Sequence, residues 1–158
     1  MSVMLVTVGQ TLALSEVTLT QVIVDSVVIS QVQAGPPGAG MEQESVVASQ
    51  ALAAGDLVNI WNNAGVANAR KADAATNKEA HGYTLAAVLL GGTATVWFVG
   101  TNEAQSGMTP GPAFLSVTVP GKVQAAAPTG SGELVQRVGL AVSATKLVFE
   151  PITPIQLA

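Results

Sequence analysis

The first part of the chain, residues 1–34, contains no proline, lysine or arginine. In the segment 17–33, ten of the seventeen residues are Val, Ile or Thr, which is typical of β-strands. Apolar and polar residues alternate at its start, but both faces are apolar at Val22-Ile23-Val24 and again at Val27-Val28-Ile29. A strand that is apolar on both faces is buried on both faces. We therefore predict a β-rich arm that is covered by the rest of the chain, by copies of itself or by a partner.

The segment after the arm has the sequence Gly-Pro-Pro-Gly-Ala-Gly at positions 35–40. Proline stiffens the backbone, glycine loosens it, and the segment offers no side chain to bury. The two glycine triplets are too few for a collagen helix. Residues 35–42 are therefore interpreted as a Gly/Pro linker, with a short junction of three chains as the alternative.

The remaining segment, residues 43–158, contains an internal repeat. Gly55 begins the sequence GDLVNI and is followed ten residues later by Gly65. Gly111 lies 56 residues after Gly55, begins the sequence GPAFLS and is followed ten residues later by Gly121. The equal spacing indicates two copies of one structural unit.

Each unit continues in the same order, with a loop of small and polar residues and then a strand that starts with glycine. That glycine is Gly82 in the first unit and Gly139 in the second, and the units end on strands that close with Phe98 and Phe149. Asn-Ala-Gly and Pro-Gly sequences at the hairpin positions favour tight turns. Eight short antiparallel strands expose unpaired edges unless they close into a barrel or pack as a sandwich.

The predicted fold class is therefore all-β. An N-terminal β-rich arm (1–34) and a Gly/Pro linker (35–42) precede a β-domain (43–158). The β-domain is expected to be an antiparallel barrel or sandwich built from two similar four-stranded units, at about 51–99 and 107–150.

Charge is scarce along the whole chain. Charged residues make up 10% of the sequence and hydrophobic residues 49%, and the mean hydropathy is +0.47. A free monomer of this size usually has a more charged surface, so a membrane, a homo-oligomer or a larger assembly is expected to cover part of it. Six basic residues against ten acidic ones argue against nucleic-acid binding.

A membrane span is not favoured by the longest uncharged apolar region, residues 80–102. It contains His81, Gly91-Gly92 and four threonines, and it ends in the strand-like sequence TATVWFV. A spanning helix needs about 20 predominantly apolar residues. Two strands around a Gly-Gly turn fit this region better, and residues 1–15 lack the positive charge that begins a signal peptide.

Few residues suit catalysis or metal binding. The chain has no cysteine and one histidine, His81. A catalytic triad would need Asp56 or Asp73 with a serine, yet no nucleophile motif marks such a serine. We expect no catalytic residue, no metal site and no cofactor. Trp61, Trp97 and Tyr83 are candidates for stacking on a sugar, although core packing is the preferred interpretation for Trp97 between Val and Phe.

Several segments of the β-domain resemble those of a known protein group. They are residues 51–58 (ALAAGDLV), 109–116 (TPGPAFLS), 128–132 (PTGSG), Val135-Gln136 and 138–145 (VGLAVSAT). Together they resemble the small β-domains of virion proteins of tailed bacteriophages, such as head-fibre, capsid-decoration and some tail-fibre proteins. The resemblance covers residues 45–151. It implies a non-enzymatic trimer anchored on the virus particle, and it supplies no catalytic motif.

These observations lead to the hypothesis of a capsid-decoration or head-fibre protein on the outer shell of a tailed phage. A tail-fibre or baseplate component is the alternative, and a carbohydrate-binding module is a further one. The expected partners are the major capsid protein and further copies of the chain as a homotrimer, with a host-surface glycan as another candidate. Contacts with the capsid are predicted in the arm, through the residues Val17, Leu19, Val22, Val24, Val27 and Ile29.

Overall fold

The computed structural model describes residues 43–158, and the predicted arm and linker lie outside the described residues. The described part is built from short strands and one short 3-10 turn, Ala74–Thr76. The strands are β1 (Gln43–Ala48), β2 (Leu57–Asn63), β3 (Val66–Lys71), β4 (Gly82–Tyr83), β5 (Thr93–Trp97), β6 (Gly100–Asn102), β7 (Gly111–Leu115), β8 (Val123–Gln124), β9 (Leu134–Val135), β10 (Arg137–Ala141), β11 (Leu147–Phe149) and β12 (Ile155–Gln156).

The first sheet is a closed barrel with the strand order β1-β3-β2-β4-β5. Strands β2 and β3 form the predicted hairpin, with Ala64 and Gly65 at positive φ in its turn. Strand β1 closes the barrel because it pairs in parallel with β3 on one side and antiparallel with β5 on the other. The barrel interior is filled by small and branched side chains, which suits its narrow bore. They are Val46, Ala48, Leu52, Val58, Ala69, Ala94 and Val96.

The second sheet has the order β6-β11-β10-β7-β8, and a separate ribbon pairs β12 with β9. Its buried face forms a second core together with residues from the first sheet. The start of β2 belongs to both cores, since Leu57 faces the second core while Val58 faces the barrel interior. Both side chains are fully buried, and their burial explains the two adjacent apolar residues in the GDLV sequence.

The two repeats have the same strand order. In the first, β3-β2-β4-β5 are neighbours, and in the second, β8-β7-β10-β11 are neighbours. Each last strand also pairs antiparallel with the strand that precedes its repeat, β1 with β5 and β6 with β11. The all-β class and the barrel are confirmed. Each four-stranded unit is joined by the strand ahead of it, so that each sheet has five strands, and the β1–β3 pair is parallel rather than antiparallel.

The pairing register corrects one detail of the sequence match between the repeats. Leu57 of β2 pairs with Tyr83, and the corresponding residue of β7, Ala113, pairs with Gly139. Gly139 therefore occupies the position of Tyr83, not that of Gly82. Strand β10 also has a bulge at Val138, where its register with β7 shifts between Arg137 and Gly139.

Candidate functional site

The predicted capsid contacts, Val17, Leu19, Val22, Val24, Val27 and Ile29, lie outside the described residues and stay a prediction. Within residues 43–158, three other features carry polar chemistry or unusual exposure. They are a buried ion cluster between the repeats, a groove beside His81, and an exposed apolar loop.

The ion cluster is centred on Asp56, whose side chain is fully buried just before β2. Lys71 Nζ lies 3.1 Å from Oδ2 and Lys122 Nζ lies 2.8 Å from Oδ1. The backbone N–H of Ala53 also donates to Oδ2 at 2.8 Å. Asp56 and Lys71 belong to the first repeat and Lys122 to the second, so the cluster links the two. A carboxylate with two lysine partners serves as a structural anchor rather than as the orienting acid of a histidine.

His81 is held by backbone hydrogen bonds at the edge of the barrel. Its N–H donates to the carbonyl of Val58, and its ring Nδ1 accepts the N–H of Ile60 at 2.9 Å. Since Nδ1 is an acceptor, the proton of the neutral ring lies on Nε2, which is 3.3 Å from Oε1 of Glu79. The other aspartate considered for a triad, Asp73, instead caps the 3-10 turn through the N–H of Ala75.

An open groove of about 670 Å³ lies beside this pair. Its walls include the apolar side chains of Phe98 and Ile152, and its polar groups include Glu79 and His81. The buried side chain of Gln136 holds both sides of the groove in place. Its Oε1 accepts a hydrogen bond from the N–H of Ala80, and its Nε2 donates to the carbonyls of Ala80 and Ile152. A mostly apolar groove with a few oriented polar groups is typical of small-ligand sites.

The aromatic residues considered for sugar stacking have different environments. Tyr83 is buried edge-on against Phe149, with ring centroids 5.4 Å apart, and burial raises the pKa of its phenol. The interpretation of Tyr83 as a stacking surface is therefore wrong. One face of Trp61 is covered by the Arg70 guanidinium at 4.7 Å. Trp97 is half-buried and packs against the second core, as expected for a strand residue.

The exposed apolar loop, here called the leucine loop, comprises residues 85–92 between β4 and β5. Its tip side chains, Leu89 and Leu90, are 80% and 70% exposed, and Leu85 is 41% exposed. A shallow groove of about 380 Å³ lies beside the loop and is lined in part by Leu85, Val88 and Trp97. Sequence reasoning predicted a Gly-Gly turn here but not the outward direction of the leucines.

Searches with family models, among curated proteins and among solved structures find no match to this chain. In the part of the chain that the structure describes, no cluster of three or more His, Asp or Glu side chains is positioned to hold a metal ion. In the same part, none of the helical segments has the length and apolarity needed to cross a bilayer.

Proposed function

We propose that this chain is a structural protein of a tailed-phage particle, bound to the outer capsid shell as a decoration or head-fibre protein. The observation that carries the proposal is where the phage-like segments lie in the β-domain. The segment 51–58 contains Asp56, the centre of the ion cluster, and the segment 109–116 contains β7. Gln136, in the second repeat, is hydrogen-bonded to Ala80 in the first. Two of the resembling segments thus contain residues that join the two repeats, Asp56 and Gln136, and this supports the proposal that the resemblance concerns the whole β-domain.

The proposed anchor is the N-terminal arm. Its attachment is expected to rest on strand pairing and apolar burial, because the first basic residue of the chain is Arg70. Binding that does not depend on surface ion pairs responds weakly to salt. Burial of one Val or Ile side chain contributes on the order of 1.5–3 kcal/mol before entropic costs, so several such residues together suffice to hold a small protein on a shell.

Replacing Val22 and Val24 together with aspartate in the full-length chain should abolish attachment to particles. Two charges without partners in an apolar contact cost several kcal/mol. The measurement is co-sedimentation with particles that lack this protein, at low and high salt. Aspartate at Gln31 and Gln33 is the matched control, since it adds the same charge at polar positions. Normal decoration by the Val22/Val24 variant would contradict the proposed anchor.

The number of copies of this protein per particle distinguishes a capsid protein from a tail protein. A protein on the shell should be present at tens to hundreds of copies per purified particle, whereas a tail-fibre or baseplate component should be present at a few to a few dozen. Quantitative mass spectrometry against the major capsid protein gives this ratio directly.

Glycan binding is a second candidate function, favoured by the groove that Phe98, Ile152, Glu79 and His81 line. Apolar walls suit the C–H faces of a sugar, and the carboxylate accepts hydrogen bonds from hydroxyl groups. On a glycan array, the full-length protein should bind a defined set of oligosaccharides, and Glu79→Gln should weaken that binding about tenfold or more. Glu103→Gln, at an exposed glutamate outside the groove, is the control. If the protein binds no oligosaccharide on the array, this candidate function is wrong.

A further inference from the structure

The tip of the leucine loop is a backbone-defined turn. The N–H of Gly92 donates to the carbonyl of Leu89 at 2.9 Å, and Gly91 has a φ of +82°. A positive φ at the third residue of the turn is the signature of a type II turn, which favours glycine there. Leu89 and Leu90 therefore occupy the first two positions of a defined turn, and the turn presents their side chains to solvent.

Backbone hydrogen bonds hold both ends of the tip against the barrel. Val88 and Leu52 exchange two such bonds, of 2.8 and 2.9 Å. On the other side, Ala48 accepts the N–H of Gly91, and its own N–H donates to Gly92, each at 2.8 Å. With both ends fixed, the leucines do not fold back onto their own domain without breaking these bonds.

The apolar area at the tip is large enough to mark an interface but too small to form one alone. Leu85, Leu89 and Leu90 together expose an area on the order of a few hundred Å², which is the size at which a contiguous apolar patch signals a contact. A standard interface covers about 800 Å² on each partner. The contact therefore has to include the neighbouring groove as well as the tip.

That groove matches the tip in chemistry and in size. Within residues 43–158, its lining comprises Leu85, Val88 and Trp97 together with uncharged polar residues and one alanine, and no charged residue lies anywhere in the segment 80–102. Its volume of about 380 Å³ exceeds that of the roughly 150 Å³ cavities that admit a benzene molecule, so the groove has room for apolar side chains.

We propose that the leucine loop is a self-association surface, in which the tip of one copy enters the groove of the next copy. The tip requires an uncharged, apolar and concave partner, and every copy of this chain presents such a groove beside its own tip. A head-to-tail contact of this kind closes into a ring when the rotation between neighbouring copies closes, and it forms an open filament otherwise. The inference deepens the self-association expected of the proposed virion protein, and its test needs no particle.

The full-length protein should form oligomers at micromolar concentration, and Leu89→Asp with Leu90→Asp should weaken that association on the order of 100-fold or more. Sedimentation equilibrium measures the constant. The matched control is Val66→Asp with Ile155→Asp, which adds the same charge at two other exposed apolar positions. That control should associate like the unmodified chain.

Two outcomes overturn the proposal. The first is a monomeric unmodified chain, and if its Leu89/Leu90 variant also fails to bind particles, the loop faces the shell instead of a second copy. The second is equal association of the Leu89/Leu90 variant and the unmodified chain. Failure of the capsid proposal leaves a different result, namely oligomers in solution that do not attach to particles.

Cross-linking provides a measurement that does not depend on folding of the charged variants. Since the natural chain has no cysteine, single cysteines can be introduced without background. Chains with Leu90→Cys should form a disulfide with Thr95→Cys chains when the two are mixed, because Thr95 lines the groove. Ile155→Cys in place of Leu90→Cys should give no such product. Equal yields from the two mixtures would contradict the tip-to-groove contact.

Discussion

Replacing Asp56 with asparagine should lower the free energy of unfolding by about 3 kcal/mol. The substitution keeps the shape of the side chain but leaves Lys71 and Lys122 facing each other without a counter-charge. Removal of one member of a buried ion pair costs about 3–5 kcal/mol. We expect the lower end, since the lysine side chains are 28% and 30% exposed and reach some solvent.

Urea unfolding monitored by tryptophan fluorescence measures this loss. The matched control is Glu103→Gln, which removes the carboxylate of an exposed ion pair with Lys146. Exposed pairs contribute about 0–1 kcal/mol, so the control should change the unfolding free energy little. If the two variants lose the same free energy, Asp56 does not act as the electrostatic link between the repeats.

Replacing Gly139 with alanine should destabilise the domain by about 3–5 kcal/mol. A Cβ atom at this position would lie 1.9 Å from the carbonyl oxygen of Val148, and the residue has a φ of +147°. Val148 belongs to the neighbouring strand β11, so relief of the clash requires the β10–β11 ladder to separate. Backbone strain adds to the steric cost.

Gly107→Ala is the control for this second variant. Gly107 also has a positive φ, of +69°, but no atom of the described residues 43–158 lies within 4 Å of an added Cβ. The Gly107→Ala variant should therefore lose only the free energy of unfolding that backbone strain costs, about 1–2 kcal/mol. Chemical unfolding of both variants separates the two contributions, and equal losses would mean that the bulge in β10 adjusts to a side chain.

The repeat and its turns were predictable because their signals are local. The glycine spacing and the Asn-Ala-Gly turn each lie within one hairpin, where sequence pattern and structure coincide. The barrel closure was not predictable in this way. Strand β1 lies ahead of the repeat, and its pairings with β3 and β5 join residues far apart in the sequence. Hydrophobic alternation defines the faces of a strand but not its distant neighbours.

The residues of the ion cluster were not predictable from the sequence for the same reason. Asp56, Lys71 and Lys122 are separated by up to 66 residues, and no periodicity relates them. One signal was present: an aspartate directly before two adjacent apolar residues at a strand start lies next to the core, and a carboxylate buried there needs partners. The bulge at Val138 was not predictable either, because its added residue leaves no mark in the glycine spacing.

The position of β1 between two neighbours determines how the domain bears mechanical load. Tension applied through the chain ahead of Gln43 enters the barrel along β1. It is resisted by the ladder with β5 over Gln43–Val47 and by the ladder with β3 at Val47 and Ala48. Because β1 is paired on both sides, both ladders have to break before β1 leaves the barrel. Rupture under force is governed by the unfolding rate, and a strand with two partners has more hydrogen bonds to lose than an edge strand.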